Sequence, residues 1–165
     1  MRKISASLLT LVFLLTASPL WAADQATPQE VYEMVTKAAN LLKELGPEGL
    51  PAFNDPKGEF VWKDSYVFVM DCGKGTIAAH PNPKLIGLPG DKIRCLKTGR
   101  PILLEACQGM SAQGQWNEYW WNKPGQDGIF RKISFAINVP GQPYQVGAGI
   151  YNDTVSLDEL QKTLK

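Results

Sequence analysis

Histidine is almost missing from this 165-residue chain; the one copy is His80. A single imidazole excludes multi-histidine metal centres and leaves little for histidine-dependent catalysis to work with. Cysteine is also scarce, with Cys72, Cys95 and Cys107 as the full set. They form no Cys-x-x-Cys pair for thiol redox chemistry and no Cys-x-x-Cys-His for covalent haem attachment. No serine stands on a Gly-x-Ser-x-Gly elbow, the usual signature of a serine hydrolase on an α/β sheet. Long basic runs are lacking too, which argues against nucleic acid and anionic membrane surfaces as partners. No metal and no cofactor is expected.

What is present begins with an export signal. Arg2 and Lys3 precede an apolar stretch from Leu8 to Leu15, and Ala22 and Ala23 follow. Residues 1–23 therefore read as a secretory signal peptide. The apolar stretch is shorter than the roughly 20 residues a membrane-spanning helix needs. The mature domain is expected over residues 24–165, periplasmic or otherwise exported, with no membrane span of its own. Without Arg2 and Lys3, fifteen basic side chains face sixteen acidic ones, a net charge of −1. In an oxidising compartment three cysteines imply one disulfide and one spare thiol. Cys72 lies in a turn and Cys107 near the end of a predicted helix. That placement favours Cys72–Cys107, with Cys95–Cys107 as the alternative.

Thr27, Pro28 and Glu30 form a helix start with a capping box. Val31, Met34, Val35, Ala38, Leu41, Leu42 and Leu45 then recur at helical spacing, until Gly46-Pro47. The pattern changes to strands at 65–70 and 76–80, joined by a glycine-containing turn. A short helix is predicted over 101–110. Strands follow at 115–121, 129–139 and 144–151, with short turns that imply antiparallel neighbours. Ser156 and Glu159 open a last helix. The sum is an α+β fold: a long N-terminal helix covers one face of a five-stranded antiparallel sheet. The stretch 81–114 is long enough to fold over the other face.

Several motifs along this frame resemble those of the single Cache domain of type 2. Asp71-x-x-x-Gly75, Ala79-His80-Pro81 and Ile86-Gly87 are similar to its first half. Tyr119-x-Trp121-x-Lys123-Pro124-Gly125, Lys132-x-Ser134 and Gly147-x-Gly149-Ile150-Tyr151 are similar to its second. The resemblance runs from about residue 25 to 165. It implies a PAS-like sheet and an extracytoplasmic sensor that binds a small molecule, such as a short carboxylate. It also implies a membrane receptor or kinase as a signalling partner, for which this chain would be a stand-alone exported form. Phe135 stands where the family pattern often has a tyrosine, so one hydroxyl is expected to be missing from the pocket.

The ligand-binding residues expected on this reading are His80, Tyr119, Trp121, Lys132 and Tyr151. His80 can donate to a carboxylate from a neutral or a charged ring. Tyr119 and Trp121 are two apart on a strand, so they share a face and can wall a site while orienting a ligand. If Ile133 and Phe135 face one side, Lys132 and Ser134 face the other, where a lysine can act as counter-ion. Tyr151 can close the pocket with its hydroxyl. Asp71 reads as a turn residue. Two further readings stay open: a structural or interaction protein with a degenerate pocket, and a thiol-dependent enzyme using Cys72 and His80. A disulfide at Cys72 would remove the second. Reversible binding, not catalysis, is expected.

Overall fold

The computed structural model describes residues 25–111 and 113–164, so the expected signal peptide lies outside the described residues. Helix α1 spans Pro28–Leu45. Thr27 Oγ1 accepts from the Glu30 N–H at 3.2 Å, and Glu30 Oε2 accepts from the Thr27 N–H at 2.8 Å. This is the predicted capping box, and it satisfies two otherwise orphaned donors at the helix start. Val31, Val35, Ala38, Ala39 and Leu42 are buried along one stripe. Burying a full-sized aliphatic side chain is worth about 1.5–3 kcal/mol, so docking of this stripe, more than helix propensity, holds α1 in place. Leu45, expected on the same face, is exposed. A 3-10 helix over Gly46–Phe53 turns the chain back towards the sheet.

Seven strands follow: β1 (Val61–Trp62), β2 (Ser65–Tyr66), β3 (Phe68–Asp71), β4 (Thr76–Ala79), β5 (Gln115–Trp121), β6 (Phe130–Asn138) and β7 (Tyr144–Tyr151). Helix α2 (Ile102–Gly109) precedes β5, and α3 (Leu157–Lys162) follows β7. Five strands make the main sheet, all antiparallel, in the order β4-β3-β7-β6-β5. The predicted five-stranded α+β architecture is the one observed. The stretch expected as one strand over 65–70 is divided at Val67. Its first two residues pair instead with β1 in a small separate hairpin that the sequence did not reveal. Ser65 Oγ donates to the Gly149 carbonyl at 2.7 Å and fastens that hairpin to β7.

The sheet has two differently occupied faces. Val67, Val69, Trp116, Ile133, Phe135, Val146, Ala148 and Ile150 form one core with α1. Tyr66, Phe68, Met70, Ile77 and Ala136 form a second with Ile93 and Leu103, contributed by the segment that folds over from 81–114. Phe135 therefore belongs to the helix face. Its ring lies 5.3 Å from Tyr32 and 5.2 Å from Trp116, so no pocket hydroxyl is lost there and the expectation of a missing one is overturned. Strand alternation gives the reason: Phe135 points opposite to Lys132 and Ser134.

One irregularity positions the site. Val69 pairs with Ala79, but Met70 pairs with Ile77, which leaves Ala78 as an extra residue in β4. Such a bulge reverses the alternation beyond it. Ile77 faces the second core, Ala79 faces α1, and His80 is returned to the side of Ile77. Cys72 and Cys107 are joined, as favoured from sequence, and Cys95 is buried with a free thiol. The disulfide ties α2 to the β3–β4 turn. Among the described residues no helix is long and apolar enough to cross a membrane.

Candidate functional site

Between the open face of the sheet and the 81–114 segment lies a cavity of about 60 Å³. Phe68, Met70, Ile77, Leu85, Ile93, Ile102, Leu103, Ala106 and Ala136 give it apolar walls. The polar groups are few: Tyr66, His80, Asn117, Tyr119, Lys132 and Ser134 inside, with Arg100 and Glu105 also on the lining. Of the five residues expected from sequence, the structure brings His80, Tyr119, Trp121 and Lys132 onto this one cavity. Tyr151 stands behind Lys132, and its hydroxyl donates to the Asn122 carbonyl at 2.5 Å.

Lys132 is the central charge. It is 1% exposed, on β6 between Ile133 and Arg131. Its Nζ lies 4.0 Å from the ring centroid of Tyr66, 5.3 Å from Phe68 and 5.2 Å from Tyr151. These rings stabilise an ammonium through their quadrupoles but do not neutralise it. Burial pulls its pKa down; Tyr66 and Tyr119 outweigh that, so the net shift is upward and the ammonium is charged at neutral pH. Among the described residues no carboxylate lies within ion-pairing distance of it. The contrast with Lys123 is direct: that buried lysine has Asp64 at 3.0 Å, and Asp64 also accepts from the Ala26 N–H. Lys123 is a structural tie, whereas Lys132 has no carboxylate at ion-pairing distance among the described residues.

Two glycines make room for Lys132. Gly147 and Gly149 face the cavity side of β7. A Cβ on Gly149 would stand 2.9 Å from Lys132 Cε and 2.7 Å from the Ile133 carbonyl oxygen. A Cβ on Gly147 would stand 2.7 Å from the Phe68 ring. The Gly-x-Gly of the last strand thus leaves a channel along which the lysine stem crosses β7 towards Tyr66.

His80 is fixed in one form. Its Nδ1 accepts from the Asn82 N–H at 2.8 Å, which assigns the ring proton to Nε2. Burial, with the Lys132 charge added, pushes its pKa down to about 3. The ring is neutral at physiological pH and acts as a donor through Nε2–H. The Tyr66 ring packs against it at 4.8 Å. On the opposite wall Tyr119 Oη and Ser134 Oγ share a hydrogen bond of 2.8 Å, and Trp121 meets the Tyr119 ring edge-on at 6.2 Å. Burial raises the Tyr119 and Tyr151 pKa values, so both stay neutral donors. Arg100 and Glu105 neutralise one another at 2.6 Å. Arg100 also donates to the Glu118 carbonyl, which links the start of α2 to β5.

Tyr66, Asn117 and Ser134 were not singled out as site residues by the sequence. A signal existed: Tyr66, Phe68 and Met70 alternate with Val67 and Val69, and Asn117 is two residues from Tyr119. Arg100 and Glu105 carry no such signal, because only the fold of the 81–114 segment brings them to the sheet. Asp71 is the turn residue it was read as; its Oδ1 accepts from the Lys74 N–H at 2.9 Å. Among the described residues no group of three or more His, Cys, Asp or Glu side chains is placed to hold a metal ion.

A central last strand, a helix across one face and a ligand-sized cavity against the other define a PAS-like module. The family model of the Cache domain matches residues 59–156, and the chain belongs to that family. Solved structures share the fold at low sequence identity. A periplasmic sensor domain of a chemotaxis protein superposes with a TM-score of 0.63 at 23% identity, over 76% of this chain and 94% of that one. A Cache chemosensory domain studied for carboxylic acid recognition gives 0.61 at 21%, over 76% and 92%. A methyl-accepting chemotaxis protein from Vibrio parahaemolyticus gives 0.61 at 18%, over 78% and 90%. Among curated proteins none matches this chain.

Proposed function

We propose that this protein is an exported sensor module that binds a short monocarboxylate reversibly in the cavity around Lys132. The observation that carries the reading is the Lys132 ammonium itself, 1% exposed and without a carboxylate partner. Tyr66, Tyr119 and the more distant Asp64 hold the charged form, and a ligand carboxylate supplies the direct contact that no carboxylate of the described residues makes. His80 Nε2–H and the Tyr66 hydroxyl are the donors that complete its hydrogen bonding, in the manner of charge-assisted pairs. The apolar walls from Met70, Ile77 and Leu103 suit a short aliphatic tail. A cavity of about 60 Å³ holds roughly four to six water-sized spheres, which suits an acid of about two to four carbons. The chemosensory domain that recognises carboxylic acids shares this fold, which supports the same use here. Ligand state would be passed to a membrane receptor or kinase, without covalent chemistry.

Calorimetry with acetate, propionate, lactate and pyruvate tests the reading. Wild-type protein is expected to bind at least one of them, and Lys132→Met to bind none. A folded wild-type protein that binds no short carboxylate overturns it.

A further inference from the structure

The charges lining the cavity are unevenly assigned. Glu105, its one carboxylate, is occupied by Arg100 at 2.6 Å, and His80 is held as a neutral donor by the Asn82 N–H. Lys132 alone on the lining has no carboxylate at ion-pairing distance among the described residues, so the cavity accommodates one negative charge and offers no partner for a positive one. An ammonium entering it would meet Lys132 as a like charge and find no free carboxylate.

Neutral polar capacity is present, however, and it is concentrated on β5. Asn117 projects from the same face as Tyr119 and is paired across the strands with Ser134. Its carboxamide has no hydrogen-bond partner among the described residues. Beside it the Tyr119–Ser134 bond leaves one hydroxyl with donor capacity. A carboxamide offers both an acceptor and two donors, so this wall can receive a hydroxyl or satisfy an oxo group, while a methylene would leave it unpaired.

We propose that Asn117 sets the ligand class: the cavity selects 2-hydroxy or 2-oxo monocarboxylates over plain acids of the same size, and rejects the matching α-amino acids. This rests on the reading of the cavity as a carboxylate site and narrows it. Lysine and histidine hold the carboxylate, and Asn117 with Ser134 reads the substituent at the next carbon. A neutral amide, where an acidic side chain would accept an ammonium, is the element that turns amino acids away.

Propionate, lactate, pyruvate and alanine test this, because they differ at one carbon only. Calorimetry on the wild-type protein is expected to place lactate or pyruvate about tenfold tighter than propionate, and alanine about a hundredfold weaker than lactate. Asn117→Ala is expected to shrink the lactate-to-propionate ratio towards one, and Asn117→Ser to keep part of it. Asn117→Asp is expected to shift the alanine-to-lactate ratio towards alanine. Circular dichroism and melting curves check that each variant folds, and the wild-type series decides the ligand class even if one does not. Alanine binding as tightly as lactate overturns the proposal while leaving the carboxylate reading intact. So does a lactate-to-propionate ratio that Asn117→Ala leaves unaltered. Failure of all four compounds overturns the carboxylate reading, and the assignment of Asn117 with it.

Discussion

The Asn82 N–H donates to His80 Nδ1 at 2.8 Å, and that one bond decides what the protein's single histidine can do. It puts the proton on Nε2 and turns the ring into a fixed donor. Burial and then the nearby Lys132 charge make a second proton costly, and the pKa falls from the ordinary 6.5 to about 3.

A pH signature follows from that depression. Between about pH 3 and 6.5 the unfolded chain carries a proton on His80 that the folded chain does not. His80's contribution to stability is therefore complete above 6.5 and is lost as the pH falls towards 3, by at most about 1.4 kcal/mol per pH unit. Melting temperatures measured from pH 7.5 to 4.5 are expected to drop for the wild type. His80→Asn keeps an acceptor near the Nδ1 position and does not titrate there, so its decline is expected to be shallower. Equal slopes for the two proteins would contradict the assignment. Ligand affinity between pH 6.5 and 8 is expected to be flat, because the ring stays neutral throughout that window.

Much of this arrangement is legible in the sequence where one period governs. The spacing of Val31, Val35, Ala38 and Leu42 defines α1, and Thr27 with Glu30 marks its start. Alternation in β6 separates Lys132 and Ser134 from Ile133 and Phe135 and so places the lysine correctly. The rest depends on pairing between distant segments. The bulge at Ala78, which returns His80 to the cavity, exists only because Val69 and Met70 pair as they do. Nothing local to Thr76–His80 specifies it. Tyr151 was expected to offer its hydroxyl to the pocket; the close approach of the Asn122 carbonyl, set by the β5–β6 turn, engages it instead. Phe135 was compared with a family pattern by position alone, and position does not say which face a residue serves.

Lys132 gives a prediction with two readouts. Burial costs the ammonium its solvation, but Tyr66 and Tyr119, with the more distant Asp64, outweigh that and favour the charged form, so Lys132→Met keeps the volume filled and removes a net stabilising charge. The ligand-free variant is expected to be less stable than the wild type in chemical denaturation, by about 1 kcal/mol. The same variant is expected to lose the stabilisation that added carboxylate gives the wild type. A ligand-free variant more stable than the wild type would mean that the desolvation cost outweighs the ring contacts at Tyr66, Phe68 and Tyr151.

Gly149 tests how the lysine is accommodated. A methyl group there meets Ser134 Oγ first, then the Ile133 carbonyl oxygen at 2.7 Å and the Lys132 stem at 2.9 Å, and the backbone cannot move as easily as either side chain. Gly149→Ala is expected to cost about 1–3 kcal/mol, as overpacking does, and to weaken ligand binding by displacing the Ser134 hydroxyl and Lys132 Nζ. Gly125, in the β5–β6 turn, would meet nothing within 4 Å. It has φ 72°, so Gly125→Ala is expected to cost stability through backbone strain and to leave ligand affinity close to wild type. Comparable losses of ligand affinity in both variants would show that the channel on β7 has no special role.

The disulfide bears on both stability and the cavity. Cys72–Cys107 closes a separation of 35 residues, for which chain entropy predicts about 3–4 kcal/mol of stabilisation. The bond also anchors α2, a short helix with one buried side chain, Leu103, that nonetheless supplies Ile102, Leu103, Glu105 and Ala106 to the cavity wall. Its remaining polar ties to the sheet are the Arg100 bond to the Glu118 carbonyl and a 3.3 Å bond from Gln145 Nε2 to the Ala106 carbonyl. The Cys72→Ser, Cys107→Ser double variant is expected to lose stability by that amount and to bind carboxylate more weakly. Hydrogen exchange should accelerate over 101–110 before it does in β6 or β7, since α2 is the element released. Unaltered affinity with accelerated exchange at α2 would show that the helix only roofs the cavity and does not hold the ligand. In the denatured, non-reduced wild type, thiol titration should find one thiol, and alkylation mapping should place it at Cys95.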